Sequence, residues 1–308
     1  MKIGTAYFFD SRNRQMAGLS GLAAKLQEQI ATGKRIQTPS DDPLISARVA
    51  RMNRTAADQT QFQSNITLAQ SLLATSDTTL ESMGTQLQRA QELMIRAGSD
   101  TLNDENRGAI GAELKAILDD LYSLANTTDV RGTALFGGSA AGPAYARAAD
   151  GRISFVGSGE APPIPTGEGV SVQATDNGDR LFGGIQVGGT AKDIFKIVGD
   201  LADALSLAGP ANEPARKQAL AEAAEGLAKA SERVSTGRAS VGARGARLDI
   251  EAERLAQAGI DNKIERGSLE GVDIQAAVTD LQQTMLALQA TQASFSKLSQ
   301  LTLFDYIR

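Results

Sequence analysis

The chain has 308 residues, of which 42% are apolar and only 4% aromatic, a composition that suits slim helical bundles better than a thick globular core. It contains neither Cys nor His, which excludes disulfides, zinc sites of the Cys/His type and catalysis by a thiol or an imidazole. The net charge of −5 and the scattered cations exclude the basic surface of a typical nucleic-acid-binding protein.

The first predicted element is a helix over residues 11–32. Its apolar residues recur every three or four positions, which places Leu19, Leu22, Leu26 and Ile30 on one face. A terminal helix that is followed by a break in the chain has few partners within its own molecule. We therefore predict that these four residues contact other subunits.

The segment GKRIQTPSDDP, residues 33–43, separates this helix from the next. Gly33 follows the last periodic residue, where a left-handed glycine commonly ends a helix. Asp41 and Asp42 precede Pro43, a pattern typical of an acidic N-cap with proline at the first helical position. A metal site or acid/base pair is the weaker interpretation, because adjacent carboxylates point apart and no third ligand has a suitable spacing. The segment is therefore predicted to be a joint between two helices.

Two long helices are predicted by apolar residues that repeat every seven positions, one over residues 44–97 and one after Pro214. A shorter helix is expected over residues 104–126. The glycines of GARGAR, residues 242–247, are interpreted as small residues that stack against a neighbouring helix, and anion binding is the weaker alternative.

A last helix follows a second joint at RGSLEGVD, residues 266–273. Its apolar face includes Leu281, Met285, Leu288 and Phe295, for which we also predict contacts with other subunits. The order of helices is nearly symmetric about the middle of the chain. Such a chain buries its apolar faces only when its two halves lie side by side, which predicts an antiparallel bundle.

Between about Gly132 and Gly189 the pattern changes to glycine-rich segments with strand-like alternation. DGR at residues 150–152 and DNGD at residues 176–179 are predicted hairpin turns. Helix is expected to resume at Thr190, where TAKD resembles a capping box. We expect that this β-rich insertion can be deleted without unfolding the helices, because its two ends must return to one place.

Several segments of the sequence closely resemble the bacterial flagellin superfamily. They are LQEQIATGKRIQTPSDDP (residues 26–43), LANTTDVRGTALFGG (124–138), RASVGARGARLD (238–249) and the ending KLSQLTLFDYIR (297–308). The resemblance covers both ends and both long helices, whereas the insertion carries no recognisable signature.

The resemblance implies a mainly α fold, an elongated flagellin-like antiparallel bundle with paired N- and C-terminal helices and a small β-rich inserted domain. Its expected domains are a terminal-helix domain that forms an inner tube (1–40 and 268–308), a long-helix rod domain (41–138 and 190–267) and a variable outer domain (139–189).

The function implied by the resemblance is structural, with no enzymatic activity, no cofactor, no metal and no membrane insertion. TPSDDP and the two chain ends favour a subunit that joins the hook side of the flagellum to the flagellin filament. Its expected partners are the hook-side junction protein, flagellin, further copies of itself in a ring, and the type III export apparatus with an export chaperone. Its expected location is the extracellular flagellum, reached without a cleaved signal peptide.

Three alternatives remain. Flagellin itself is the nearest, and self-polymerisation into long filaments would separate it from a junction subunit. A needle-tip or translocator protein of a virulence secretion system would need membrane-inserting segments, and the sequence has no apolar run of that kind. An enzyme is the least favoured, because no credible catalytic cluster exists.

Overall fold

A computed structural model describes residues 2–99 and 101–304, so Met1, Asp100 and the last four residues of the KLSQLTLFDYIR ending lie outside the described part. The predicted fold class is confirmed, since the chain is mainly helical with a few short antiparallel strand pairs. The helices are α1 (Lys2–Thr32), α2 (Pro43–Ala97), α3 (Asp104–Ala125), α4 (Gly178–Phe182), α5 (Ile194–Ser206), α6 (Glu213–Glu270) and α7 (Ile274–Phe304). A short 3-10 helix, Pro210–Asn212, precedes α6.

Within residues 2–99 and 101–304, the strands form three antiparallel hairpins. They are β1 (Tyr145–Arg147) with β2 (Ile153–Phe155), β3 (Ile164–Gly167) with β4 (Val170–Val172), and β5 (Ile185–Val187) with β6 (Thr190–Lys192). In the first hairpin Tyr145 lies opposite Phe155, and DGR forms the turn, as the sequence predicted.

The chain divides into two compact units. The terminal unit comprises Met1–Asp58 and Gln257–Arg308, and the central unit is Gln59–Ala256. In the terminal unit α1 and α7 run antiparallel, because Gly33 at the end of α1 bonds to Val272 just before α7, while the ring of Phe9 lies edge-on to that of Phe295 at 5.4 Å.

The central unit contains most of the buried apolar residues. The heptad positions of α2 face those of α6 within one continuous core, in which Leu80, Leu87 and Leu227 are fully buried. Each such side chain contributes about 1.5–3 kcal/mol through removal of its apolar surface from water. The remaining heptad residues buried in this core are Ile66, Leu73, Val234, Val241, Leu248 and Leu255.

The β-rich insertion shares this core. Tyr145 of β1 packs its ring against that of Phe195 of α5 at 4.8 Å, and Phe182 of α4 packs against Phe136 at 5.2 Å. All four aromatic rings are buried, with Tyr145 only 1% exposed. This shared core argues against our expectation that the insertion can be removed without consequence for the helices.

Two local predictions were wrong. DNGD does not form a hairpin turn, because the Asn177 side chain accepts a hydrogen bond from the Asp179 amide at 2.8 Å and caps α4. Helix does not resume at Thr190, which begins β6; Asp193 caps α5 instead and accepts from the Lys196 amide at 2.6 Å. In both cases an Asn or Asp directly before the helix provides the cap. Its side chain accepts a hydrogen bond from a backbone amide two or three residues further along the chain.

The interpretation of GARGAR was also wrong. A Cβ atom added at Gly242 or Gly245 would meet nothing within 4 Å, so neither glycine stacks against a neighbouring helix. The arginine between them has the structural role. Arg244 forms an ion pair with the buried carboxylate of Asp176 and donates to the Gln173 carbonyl at 2.7 Å, which fastens the insertion to α6.

Candidate functional site at the two helix joints

Gly33 ends α1 with left-handed backbone geometry. Its amide still donates to the Gln29 carbonyl at 2.9 Å, but its φ of +69° turns the chain out of the helix. Glycine adopts this conformation without the steric cost that a Cβ imposes. We call the loop that follows, residues 33–42, the N-terminal joint.

The N-terminal joint is bonded to the end of α6 and to residues 271–273, the C-terminal joint, which is shorter than the predicted 266–273 because α6 continues to Glu270. The Arg35 amide donates to the Glu270 carbonyl at 2.7 Å, and the Val272 amide donates to the Gly33 carbonyl at 3.1 Å. These bonds form a short antiparallel bridge between segments that are more than two hundred residues apart in sequence. The two joints are therefore one structural site.

Asp41 holds the N-terminal joint in shape. One carboxylate oxygen accepts hydrogen bonds from the amides of Gln37 at 3.0 Å and Thr38 at 2.9 Å, and the other lies 2.7 Å from the ammonium of Lys25 on α1. The Lys25 ammonium first, and then these two amides, hold the pKa of Asp41 well below its usual range. Asp41 thus joins the loop to α1.

Asp42 and Pro43 begin α2. The Asp42 carboxylate accepts from the Ile45 amide at 3.1 Å, and its carbonyl accepts the first helical bond, from Ser46, at 2.9 Å. Pro43 occupies the first helical position, where its missing amide hydrogen costs nothing. The two adjacent aspartates therefore differ in role, since one caps the helix and the other braces the loop.

Further polar contacts connect the start of α2 with the end of α6. Arg48 and Glu265 form an ion pair, and the Arg266 guanidinium donates to the Asn53 side chain at 2.9 Å. At the joints themselves, the Lys34 ammonium lies 3.1 Å from the Glu270 carboxylate; the side chain of Lys34 is 52% exposed, so this pair contributes little to stability. These contacts orient the helices without forming a reactive centre.

The residues predicted to contact other subunits fall into two groups. Leu26 is buried between α1 and α7, and Leu19, Ile30, Leu281, Leu288 and Phe295 are half-buried there. Leu22 remains 47% exposed and Met285 43% exposed. The terminal helices thus use part of the predicted face within the molecule and leave the rest at the surface.

Sequence reasoning missed other exposed apolar residues of the terminal unit. Leu44 is the second residue of α2 and is 80% exposed, while Ile260 and Ile264 lie one turn apart on α6, away from its buried heptad face. The spacing of these two isoleucines by four positions was the available signal. The heptad stripe of the same helix obscured it.

The chemistry of the site is that of a packing surface. In residues 2–99 and 101–304, no group of three carboxylates is arranged to hold a metal ion, and no helix has the length and apolarity to cross a membrane. The carboxylates of Asp41 and Asp42 are occupied by backbone amides and by Lys25. The arrangement can fix the directions of helices and offer apolar side chains to another protein.

Comparison with known proteins gives a consistent result. The model of the bacterial flagellin N-terminal helical region matches residues 12–141. Flagellar hook-associated protein 3 of Escherichia coli strain K12 is 27% identical, with 99% of each chain covered. The flagellin of Listeria monocytogenes is 27% identical over 89% of this chain and 86% of its own.

A solved structure shares the fold. The crystal structure of flagellar hook-associated protein 3 from Legionella pneumophila superposes with a TM-score of 0.66 at 14% identity, covering 72% of this chain and 98% of that one. The sequence matches extend over both joints, and the fold matches over most of the chain. Residues 12–141 therefore match the bacterial flagellin N-terminal helical region, and the chain is similar over nearly its whole length to a flagellar hook-associated protein 3.

Proposed function

We propose that this protein is a structural subunit of the bacterial flagellum that connects the hook-side junction protein to the flagellin filament. The observation that carries the proposal is the similarity over 99% of both chains to a flagellar hook-associated protein 3. The surface of the terminal unit supports it, because exposed apolar side chains such as Leu22 and Met285 are suited to contacts with further subunits.

In this proposal the two joints set the geometry of assembly. Gly33, Asp41, Asp42 and Pro43 fix the direction in which α2 leaves α1, and the bonds from Gly33 to Val272 extend that control to α7. Copies of the chain associate in a ring, so an angular error at a joint is repeated around the ring.

The proposed division of labour follows the domains expected from the sequence. The terminal helices form an inner tube (residues 1–40 and 268–308). The long helices surround this tube (41–138 and 190–267), and the insertion lies outermost (139–189). The protein acts without enzymatic activity or cofactor. It reaches the extracellular flagellum through the type III export apparatus, with an export chaperone and without a cleaved signal peptide.

The test is electron microscopy of cells that lack this chain. We expect hooks without filaments and flagellin released into the medium, with filaments restored by a plasmid copy of the wild-type chain. Normal filaments in the deletion strain would overturn the proposal.

Flagellin itself is the second candidate, because a Listeria flagellin matches 89% of this chain at 27% identity. Purified protein added to sheared filament seeds separates the two functions. A filament-forming subunit elongates the seeds, whereas a junction subunit adds a short, limited segment. Continuous elongation would replace the first proposal with the second.

A further inference from the structure

The insertion contains a dipeptide that is prone to deamidation, a reaction unrelated to the proposed assembly role. Asn177-Gly178 is the only Asn-Gly pair in the sequence. Asparagine is chemically labile, and a following glycine, which has no side chain, leaves its amide nitrogen unhindered near the asparagine side chain. The pair is therefore the position of this chain most prone to spontaneous deamidation once the backbone is free to move.

The reaction needs only water. The Gly178 amide nitrogen loses its proton to solvent and attacks Cγ of Asn177. A bond forms between that nitrogen and Cγ, the bond from Cγ to Nδ2 breaks, and ammonia leaves with a proton returned from solvent. Water then opens the resulting succinimide ring at either carbonyl, which leaves aspartate or isoaspartate at position 177. No oxidant or reductant takes part.

The fold holds every atom that this reaction must move or deprotonate. The Gly178 amide is buried and donates to the Phe136 carbonyl at 2.9 Å, so its proton is withheld from water. The Asn177 side chain is held at both ends, since its oxygen accepts from the Asp179 amide at 2.8 Å and its Nδ2 donates to the Gly159 carbonyl at 2.6 Å. Ring closure requires the Gly178 amide to leave the Phe136 carbonyl and the Asn177 side chain to rotate away from the Gly159 carbonyl.

Conversion to aspartate removes one of these contacts, the hydrogen bond from Nδ2 to the Gly159 carbonyl. A carboxylate at position 177 cannot donate to the Gly159 carbonyl, so the two would repel each other. It would also add a third negative charge to a segment that already contains Asp176 and Asp179. Asp176 is the residue through which Arg244 of α6 holds the insertion.

We infer that Asn177-Gly178 is a deamidation site that the native fold protects, and that its reaction loosens the attachment of the β-rich insertion. The site is protected in the folded chain and reactive in the unfolded chain. The conversion is irreversible, so it records how long a chain has been unfolded.

The first test compares the full-length chain folded and in urea at mildly alkaline pH, with conversion at Asn177 followed by peptide mass spectrometry. We expect the folded chain to react at least about tenfold more slowly, because reaction must await local opening. A synthetic peptide of residues 173–181, measured in both solvents, gives the effect of urea on the chemistry itself. If the deamidation rates of the folded and the unfolded chain were equal after division by the peptide rate in the same solvent, the inference would be overturned.

The second test asks whether a negative charge at position 177 loosens the attachment of the insertion, independently of how fast Asn177 deamidates. N177D mimics one product, whereas N177S cannot deamidate; both keep an oxygen that can cap α4, and N177D alone adds a negative charge. Under limited proteolysis we expect the insertion of N177D to be cleaved about fivefold faster than that of the wild type, which corresponds to the loss of one hydrogen bond and added repulsion. N177S serves as the matched control with a smaller change. Identical cleavage of N177D and the wild type would disprove the loosening.

Discussion

Lys25 and Asp41 are sixteen residues apart in sequence, and their side chains meet with Nζ 2.7 Å from Oδ1. Lys25 lies on α1 and Asp41 in the N-terminal joint, so the contact closes the loop back onto the helix that precedes it. The other Asp41 oxygen is occupied by the Gln37 and Thr38 amides. One carboxylate therefore determines the shape of the joint.

Replacing Asp41 with Asn should release the loop while leaving α2 capped by Asp42. We expect the Gln37 and Thr38 amides to exchange hydrogen faster in D41N, because a neutral amide oxygen is a weaker acceptor than a carboxylate. Hydrogen exchange followed by NMR or mass spectrometry measures this. D10N, which alters an exposed i,i+4 ion pair with Arg14, is the matched control and should leave the joint unchanged.

The effect of D41N should depend on pH. The fold holds the pKa of Asp41 below its ordinary value of 3.8, so the native state gives up this proton more readily than the unfolded state. The stabilisation is fully present above the ordinary aspartate value and is lost as the pH falls through the lowered native value. The melting temperatures of D41N and the wild type should therefore converge in acid. A constant difference at all pH values would contradict this account.

Gly33 should tolerate Asn far better than Val. A Cβ atom at this position would meet nothing within 4 Å, so the cost of substitution comes from the φ of +69° and not from a clash. A left-handed conformation costs an ordinary residue about 1–2 kcal/mol, and more for a β-branched one, whereas Asn adopts it readily. We expect G33V to lower the melting temperature slightly and to reduce filament retention under shear. G33N should keep both, and a G33V strain with normal motility would show that the joint is only a connector.

Leu22 and Leu26 should separate assembly from stability. Leu22 is 47% exposed, so L22E should leave the melting temperature unchanged and impair incorporation into the flagellum. Leu26 is 8% exposed, so L26A should destabilise the terminal unit by about 2–4 kcal/mol. Thermal unfolding and motility are the two measurements. Normal swimming of the L22E strain would remove Leu22 from the proposed subunit contacts, and M285E extends the same test to α7.

Arg244 should be more important than Arg254, an arginine about three turns further along the same helix. The R244A change leaves Arg180 as the remaining ion-pair partner of the buried Asp176 carboxylate. Breaking a fully buried ion pair lowers the free energy of unfolding by about 3–5 kcal/mol. We expect a smaller loss for R244A because Arg180 still pairs with Asp176. R254A removes an ion pair with Glu251 in which the arginine side chain is 58% exposed, so it should have a smaller effect on unfolding. Chemical denaturation of both variants measures the difference. Equal stability would mean that the Asp176 contact does not hold the insertion.

Deleting Ala140–Gly188 with a short Gly/Ser bridge should destabilise the helices. The deletion removes Tyr145 and Phe182 and uncovers Phe195 of α5, which buries its ring against Tyr145. We expect a lower melting temperature and a broader transition by circular dichroism. V156S, which changes an exposed residue of the insertion, is the control and should unfold like the wild type. A deletion variant that unfolds as sharply as the wild type would restore the view that the insertion is separable.

Most of the fold was predicted from local sequence patterns, which are the spacing of apolar residues and the residues at helix ends. The heptads gave α2 and α6, and Gly33, Asp42 and Pro43 lie at helix ends where their backbone preferences place them. The DNGD and TAKD segments were misassigned because turns and helix caps favour the same residues, and only the tertiary partners decide between them.

Contacts between distant residues could not be read from the sequence. Asp41 looked like a second capping residue because nothing in the spacing identifies Lys25 as its partner. Arg244 lies in a glycine-rich segment whose composition suggested close helix packing, whereas its partner Asp176 is sixty-eight positions away. A side chain at a helix surface is compatible with many partners, and the fold alone selects one.

The bond between the Val272 amide and the Gly33 carbonyl has a consequence for the order of folding. The terminal unit combines Met1–Asp58 with Gln257–Arg308, so its first part is synthesised long before its second. The central unit is continuous in sequence and can fold as soon as it is complete. The terminal unit has to close a loop across the whole central unit, which makes its formation slow relative to local helix pairing. In a nascent chain, α1 therefore has no α7 to pair with until synthesis is nearly finished, and the surface proposed for assembly is the last part of the molecule to form.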